Sequence, residues 1–133
     1  MNKRNTYFIV AGLINLFTAL LHTVGGQLSL VDPLLSSDLM TRTKTEWLGV
    51  WHMITILLFA TSFYLLKAGL AKGATININT EILKPIGVLY FLFGAPFILS
   101  SILMKTFAPQ WILFLPIAIL TFVGLRKVLP NKA

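Results

Sequence analysis

Four stretches of almost unbroken apolar residues alternate with short polar segments along the chain. The first runs from about Tyr7 to Val24, the second from about Trp47 to Leu66, the third from about Pro85 to Met104 and the fourth from about Trp111 to Leu125. None carries a charged side chain within these limits. Strict alternation of apolar and polar positions, the signature of a half-buried strand, is not what organises them. Runs of roughly 18 apolar residues are long enough to cross about 30 Å of hydrocarbon as helices. A helix bonds its own backbone groups, which a lipid environment demands. The fourth run is short and needs flanking residues or a tilt to span. The expected architecture is all-α: one integral membrane domain over residues 1–133, a four-helix bundle running up-down-up-down.

Composition agrees. Of 133 residues, 56% are hydrophobic and 11% charged, with a mean hydropathy of +0.83. A soluble domain of this size carries more polar surface. The chain has no cysteine, which removes disulfides, thiolate metal sites and cysteine nucleophiles from consideration. Its net charge of +7 would point to nucleic acid in a soluble protein. In a membrane chain it reflects anionic head groups and the retention of cationic loops in the cytoplasm, so no nucleic-acid partner is expected.

The distribution of Lys and Arg sets an orientation. Lys3, Arg4, Lys67, Lys72, Lys84, Arg126, Lys127 and Lys132 fall on one side; Arg42, Lys44 and Lys105 fall on the other. Eight against three predicts both termini in the cytoplasm and a multi-pass protein of the bacterial inner membrane. Trp47, Trp51 and Trp111 then become anchors at the outer interface, where an indole buries its ring and keeps its N–H wet. The start "MNKR" before an oily run has the form of a signal peptide. "HTVGG" is a poor cleavage site, however, and three more spans follow, so the first span is expected to be retained. In the connection from Gly25 to Glu46, Asp32 before Pro33 predicts an N-cap and first-turn pair for a short interfacial helix. "TKTE", Thr43 to Glu46, fits a capping box opening the second helix. The loop "KAGLAKGATININTEILK" is turn-like and motif-free. Gly87, Tyr90 and Gly94 predict close packing of the third helix, and Pro96 and Pro116 local kinks.

Both histidines lie inside oily runs: His22 near the outer end of the first, His52 near the outer start of the second. Matched depth predicts that they meet in the bundle interior, close enough to share a ligand, water or metal. Asn15, Thr18 and His22 form a polar stripe at helical spacing. Gly25, Gly26, Gly49 and Thr55 complete the expected pocket lining. Small residues allow close approach, and ionisable residues within spans mark functional sites. Three chemistries compete. The pair could ligate a b-type haem axially, with Arg42 and Lys44 meeting the propionates. It could bind copper or zinc, but two imidazoles need further ligands from Asp32, Asp38, Glu46, Met53 or a second protomer. It could serve a proton relay or small-molecule carrier. Against all three stands the plain alternative that each histidine hydrogen-bonds a carbonyl or hydroxyl.

The chain matches small multidrug exporters only in size, since Asp32, Asp38, Glu46 and Glu81 all lie in loops or at helix ends and no span embeds a carboxylate. No Ser-His-Asp order, HExxH or Gly-rich phosphate loop is present, and no catalytic set is expected. The segments "LHTVGG", Leu21 to Gly26, and "WH", Trp51-His52, with "DPLL" between them, resemble a group of small four-span bacterial inner-membrane proteins. The resemblance covers the first half of the chain and implies no activity. The reading that remains is an accessory, scaffold or subunit-type membrane protein, in contact with the bilayer and with copies of itself or another membrane protein.

Overall fold

The structure, a computed structural model, describes residues 4–71 and 80–128. The turn-like loop expected from Lys67 to Lys84 is helical at both ends, α3 running to Leu70 and α4 starting at Thr80; its residues 72–79, with Lys72, lie outside the described residues, as do Lys3 and Lys132. Among the described residues all regular structure is helical: α1 (Thr6–Leu20), two π-helical turns (Leu21–Gly25 and Gln27–Val31), α2 (Asp32–Ser36), α3 (Thr41–Leu70), α4 (Thr80–Leu103) and α5 (Trp111–Val128). Four of these helical segments are long and apolar enough to cross a membrane.

The first differs most from expectation. It does not end at Val24: helical backbone continues over 31 residues to Ser36. Gly25 and Gly26 were expected to open a connection, yet Gly26 keeps right-handed helical angles, φ −72° and ψ −30°. The helix widens instead of stopping. The Gly26 N–H reaches back to the Leu21 carbonyl, and the Asp32 N–H to that of Gln27. Asp32 consequently caps nothing; its carboxylate accepts from Gln27 Nε2 at 2.8 Å. The capping box is corrected as well. α3 begins at Thr41, ahead of Thr43, and Glu46 pairs with Arg42 one turn earlier, at 2.9 Å. Pro85 and Pro96 lie within α4, and Pro116 within α5.

α1 is the central helix, packing along α3 and α5, while α4 packs along α5 and meets α3 far less. One end of the molecule is clamped. The Asn5 side chain accepts from the Tyr7 and Phe8 N–H groups as the N-cap of α1. Its Nδ2 donates to the Gly124 carbonyl of α5, and its backbone N–H donates to the Gly69 carbonyl of α3, both at 3.0 Å. Here the chains touch so closely that a Cβ on Gly69 would lie 2.6 Å from the Ile9 nitrogen. A Cβ on Gly124 would lie 2.5 Å from the buried Phe8 ring. On α4, Gly87 and Gly94 face Phe122 and Leu115 of α5, as close packing predicts.

The core stays near this clamped half. Buried residues on α3 run from Leu58 to Gly69, with none before Leu58. From the level of Asn5, Gly69 and Gly124, α5 extends only about 20 Å to Trp111, whereas α3 extends about 40 Å to Thr41. The α1–α3 pair thus outreaches the α4–α5 pair at the other, open end.

Candidate functional site

Two polar assemblies interrupt the oily interior. The deeper one joins three helices. Asn15 of α1 and Tyr90 of α4 are fully buried, and Thr61 of α3 nearly so. Tyr90 Oη donates to Asn15 Oδ1 at 2.6 Å. Asn15 Nδ2 donates to Thr61 Oγ1 at 2.9 Å and contacts the Leu58 carbonyl at 3.3 Å. Thr61 Oγ1 lies 2.7 Å from Tyr90 Oη, closing the ring. Because the phenol proton is committed to Asn15, Thr61 is the donor on that side. Its single proton is divided between Tyr90 and the Leu57 carbonyl, also at 2.7 Å. No buried side-chain nitrogen or oxygen among the described residues lacks a partner. The ring is neutral and internally satisfied, so its work is to hold α1, α3 and α4 in register.

The second assembly lies where the α1–α3 pair begins to outreach its neighbours, and it contains His22. The His22 ring stacks on the Trp51 indole, centroids 3.7 Å apart and planes 18° from parallel. Its Nε2 also lies 3.4 Å from the Trp51 carbonyl. That separation is long for a hydrogen bond, so the stack is the main contact. Thr55 Oγ1 donates to the same carbonyl at 2.9 Å. The indole is accommodated by Gly26, where a Cβ would fall 2.0 Å from Trp51 Cη2. His22 belongs to the first π-helical turn, a geometry that recurs at functional sites. Thr23 and Ser29 hydroxyls donate to carbonyls four residues back, at 2.8 Å each, an interaction that bends helices.

The expected pocket is distributed differently. Trp51, not His52, faces His22. His52 is exposed, because one residue along a helix turns a side chain by about 100°. The expectation that both imidazoles face the bundle interior is therefore corrected for His52. Asn15 and Thr18 do point inward, but Asn15 serves the three-helix ring and the Thr18 hydroxyl donates to its own helix, at Ile14. Gly26 and Thr55 adjoin Trp51. Gly25 and Gly49 are exposed, with nothing within 4 Å of an added Cβ. Of the three tryptophans expected at the interface, Trp47 is exposed, while Trp111 is half-buried and Trp51 is turned onto His22. Among the described residues no three His, Asp or Glu side chains cluster as a metal site would require.

The clamp at Asn5 and the pairing of Thr61 with Tyr90 are not among the features expected from the residues. Asn ahead of an oily run is an N-cap signal, and a tyrosine deep in a span needs a partner for its hydroxyl. No family profile, curated protein or solved structure matches this chain.

Proposed function

We propose that this chain is an accessory or scaffold-type subunit of a bacterial inner membrane, spanning it up-down-up-down with both termini cytoplasmic. The observation that carries the reading is its two-ended construction. The clamped end, where Asn5 ties α1 to α3 and α5, makes a rigid base. The open end lifts an α1–α3 hairpin beyond the other pair, with exposed Leu28, Leu30, Leu35, Leu39 and Met40 along it. Helices of about 45 Å exceed the roughly 30 Å hydrocarbon thickness by more than ordinary tilt absorbs. Apolar surface in that excess favours a protein neighbour, another subunit or a second copy. The eight-to-three cation bias sets the clamped end in the cytoplasm and the His22–Trp51 stack toward the outer face.

Affinity purification in mild detergent tests the reading and is expected to recover a stoichiometric membrane partner or a self-associated form. A monomeric, partner-free chain with measurable turnover or transport would overturn it. A reporter fused after Ala133 is expected to be active as a fluorescent protein and silent as a periplasmic phosphatase; the reverse result would invert the orientation.

A second reading keeps His22 and His52 as ligands of b-type haem or of copper or zinc. His22 Nδ1 lies opposite the nitrogen aimed at Trp51, and His52 is exposed on α3. The fit within one chain is poor, because His52 is turned away from His22 and no third ligand side chain joins them among the described residues. This reading therefore needs rotation of α3 or ligands from a neighbouring chain. A Soret band, or stoichiometric metal, lost in both His22→Ala and His52→Ala would favour it over the first.

A further inference from the structure

We propose that the clamped end carries a cationic collar that binds the headgroup phosphate of anionic phospholipids, bridging α1, α3 and α5 through Arg4, Lys67 and Arg126. Its occurrence in the cytoplasmic leaflet rests on the orientation proposed above; the binding chemistry does not.

The collar follows from the backbone. Asn5 bonds Gly69 and Gly124 at 3.0 Å, which brings three chain segments to one level. Arg4 precedes Asn5, Lys67 lies two residues before Gly69, and Arg126 lies two residues after Gly124. The fourth helix joins at the same height. Gly87 faces Phe122; Lys84 and Arg126 are each about one turn from that contact, both toward the clamped end. Arg4, Lys67, Lys84, Arg126 and Lys127 are all exposed. The described acid at this end is Glu81, so the local balance is strongly positive. Lys67 Nζ sits 5.9 Å from the Phe63 ring centre, one turn toward the open end, and its long flexible stem leaves the ammonium free to swing to the level of Arg4 and Arg126.

The open end is a built-in contrast. Arg42 is paired with Glu46 at 2.9 Å, Lys44 Nζ donates to the Leu35 carbonyl at 2.7 Å, and Asp32 and Asp38 lie in the same connection. Its charges compensate one another. Those of the collar are complementary to phosphates lying at the edge of the hydrocarbon, and exposed juxtamembrane cations attract such lipids additively. Rigid spacing by the Asn5 clamp turns this general attraction into a site, because Arg4 and Arg126 present planar donor forks from fixed backbone positions.

The experiment uses the purified full chain in a zwitterionic detergent at low salt, titrated with phosphatidylglycerol or phosphatidylcholine. The readouts are bound lipid by native mass spectrometry and the thermal unfolding midpoint. Phosphatidylglycerol is expected to bind about tenfold more tightly and to raise the midpoint, with the preference largely lost at about 0.5 M salt. The combined Arg4→Gln, Lys67→Gln, Arg126→Gln variant is expected to lose the preference. The combined Arg42→Gln, Lys44→Gln, Lys105→Gln variant, at the open end, is expected to keep it. If the triple collar variant does not fold, each single variant is expected to weaken the preference severalfold. Equal response to the two lipids, a preference that survives in the collar variants, or the same effect from millimolar inorganic phosphate would each overturn the proposal. An inverted orientation in cells leaves this detergent result unchanged, so the two readings fail separately.

Discussion

Single side chains in this molecule are decided by whether their polar atoms find partners away from water. Tyr90→Phe removes the donor to Asn15 Oδ1 and leaves that oxygen buried, with Asn15 fully inaccessible. Such hydrogen bonds between membrane helices average about 0.6 kcal/mol and reach about 1.7 kcal/mol. A buried orphan adds to that, so a loss of about 1–2 kcal/mol is expected in bicelle unfolding. Asn15→Ala should cost a similar amount. Because both act in one ring, the double variant should lose less than the two losses combined; strict additivity would argue against a closed ring. The His22–Trp51 stack offers a sharper contrast. Gly26→Ala drives a methyl to within 2.0 Å of the indole, whereas Gly25→Ala meets nothing within 4 Å. In a Trp47→Phe, Trp111→Phe background, Gly26→Ala should shift Trp51 emission and Gly25→Ala should not. Stacks of this kind are worth about 0.5–1.5 kcal/mol, and displacing the indole forfeits most of that.

Helix ends carry the next layer. Asn5→Ala deletes the cap of α1 together with the tie to Gly124. Cap loss costs about 0.5–2 kcal/mol, and the interhelical bond adds a fraction of a kcal/mol to somewhat more than one. A total near 2 kcal/mol is expected, and Asn5→Ser should recover the capping part alone. α4 ends differently. Thr106 N–H bonds the Ser101 carbonyl and Lys105 N–H the Ile102 carbonyl, at 3.2 and 3.4 Å, with Lys105 at φ 50°. This is a Schellman ending with lysine at the left-handed position that glycine prefers. Lys105→Gly should therefore stabilise by about 0.5–1 kcal/mol, measured as a raised unfolding midpoint. The π-helical turns explain why α1 runs on through two glycines. The widened turns keep the backbone bonded, Gly26 N–H to the Leu21 carbonyl and Asp32 N–H to that of Gln27, so nothing forces the chain out of helix at Val24.

At the scale of the whole molecule, the two ends do different things. One is pinched by Asn5 and by glycines that let backbones touch; the other is two long helices with little behind them. The absence of cysteine makes this directly testable by single-cysteine labelling in intact cells. Met40→Cys should react with a membrane-impermeant maleimide from outside. Lys127→Cys should react only after permeabilisation. The opposite pattern would reverse the assignment of ends, and labelling of both from outside would break the four-span topology.

Four helices long and apolar enough to cross a membrane, and the cation bias, were legible in the residues, because length and hydropathy act locally and lipid tolerates few backbone solutions. Lysine and arginine placement is likewise a one-dimensional record. Span boundaries were less legible: Gly25-Gly26 and Asp32-Pro33 carry turn and cap chemistry that the continuing helix overrode. The polar stripe through Asn15, Thr18 and His22 was visible, but its partners were not. Asn15 meets Thr61 and Tyr90, and His22 meets Trp51, because contacts between helices depend on their relative rotation. A step of one residue, about 100°, separates Trp51 from His52, and local sequence holds no information about which of them faces α1. Only the packing of α1 against α3, set by Gly26 on one side and the Asn5 clamp at the far end, decided that the indole took the place expected of an imidazole.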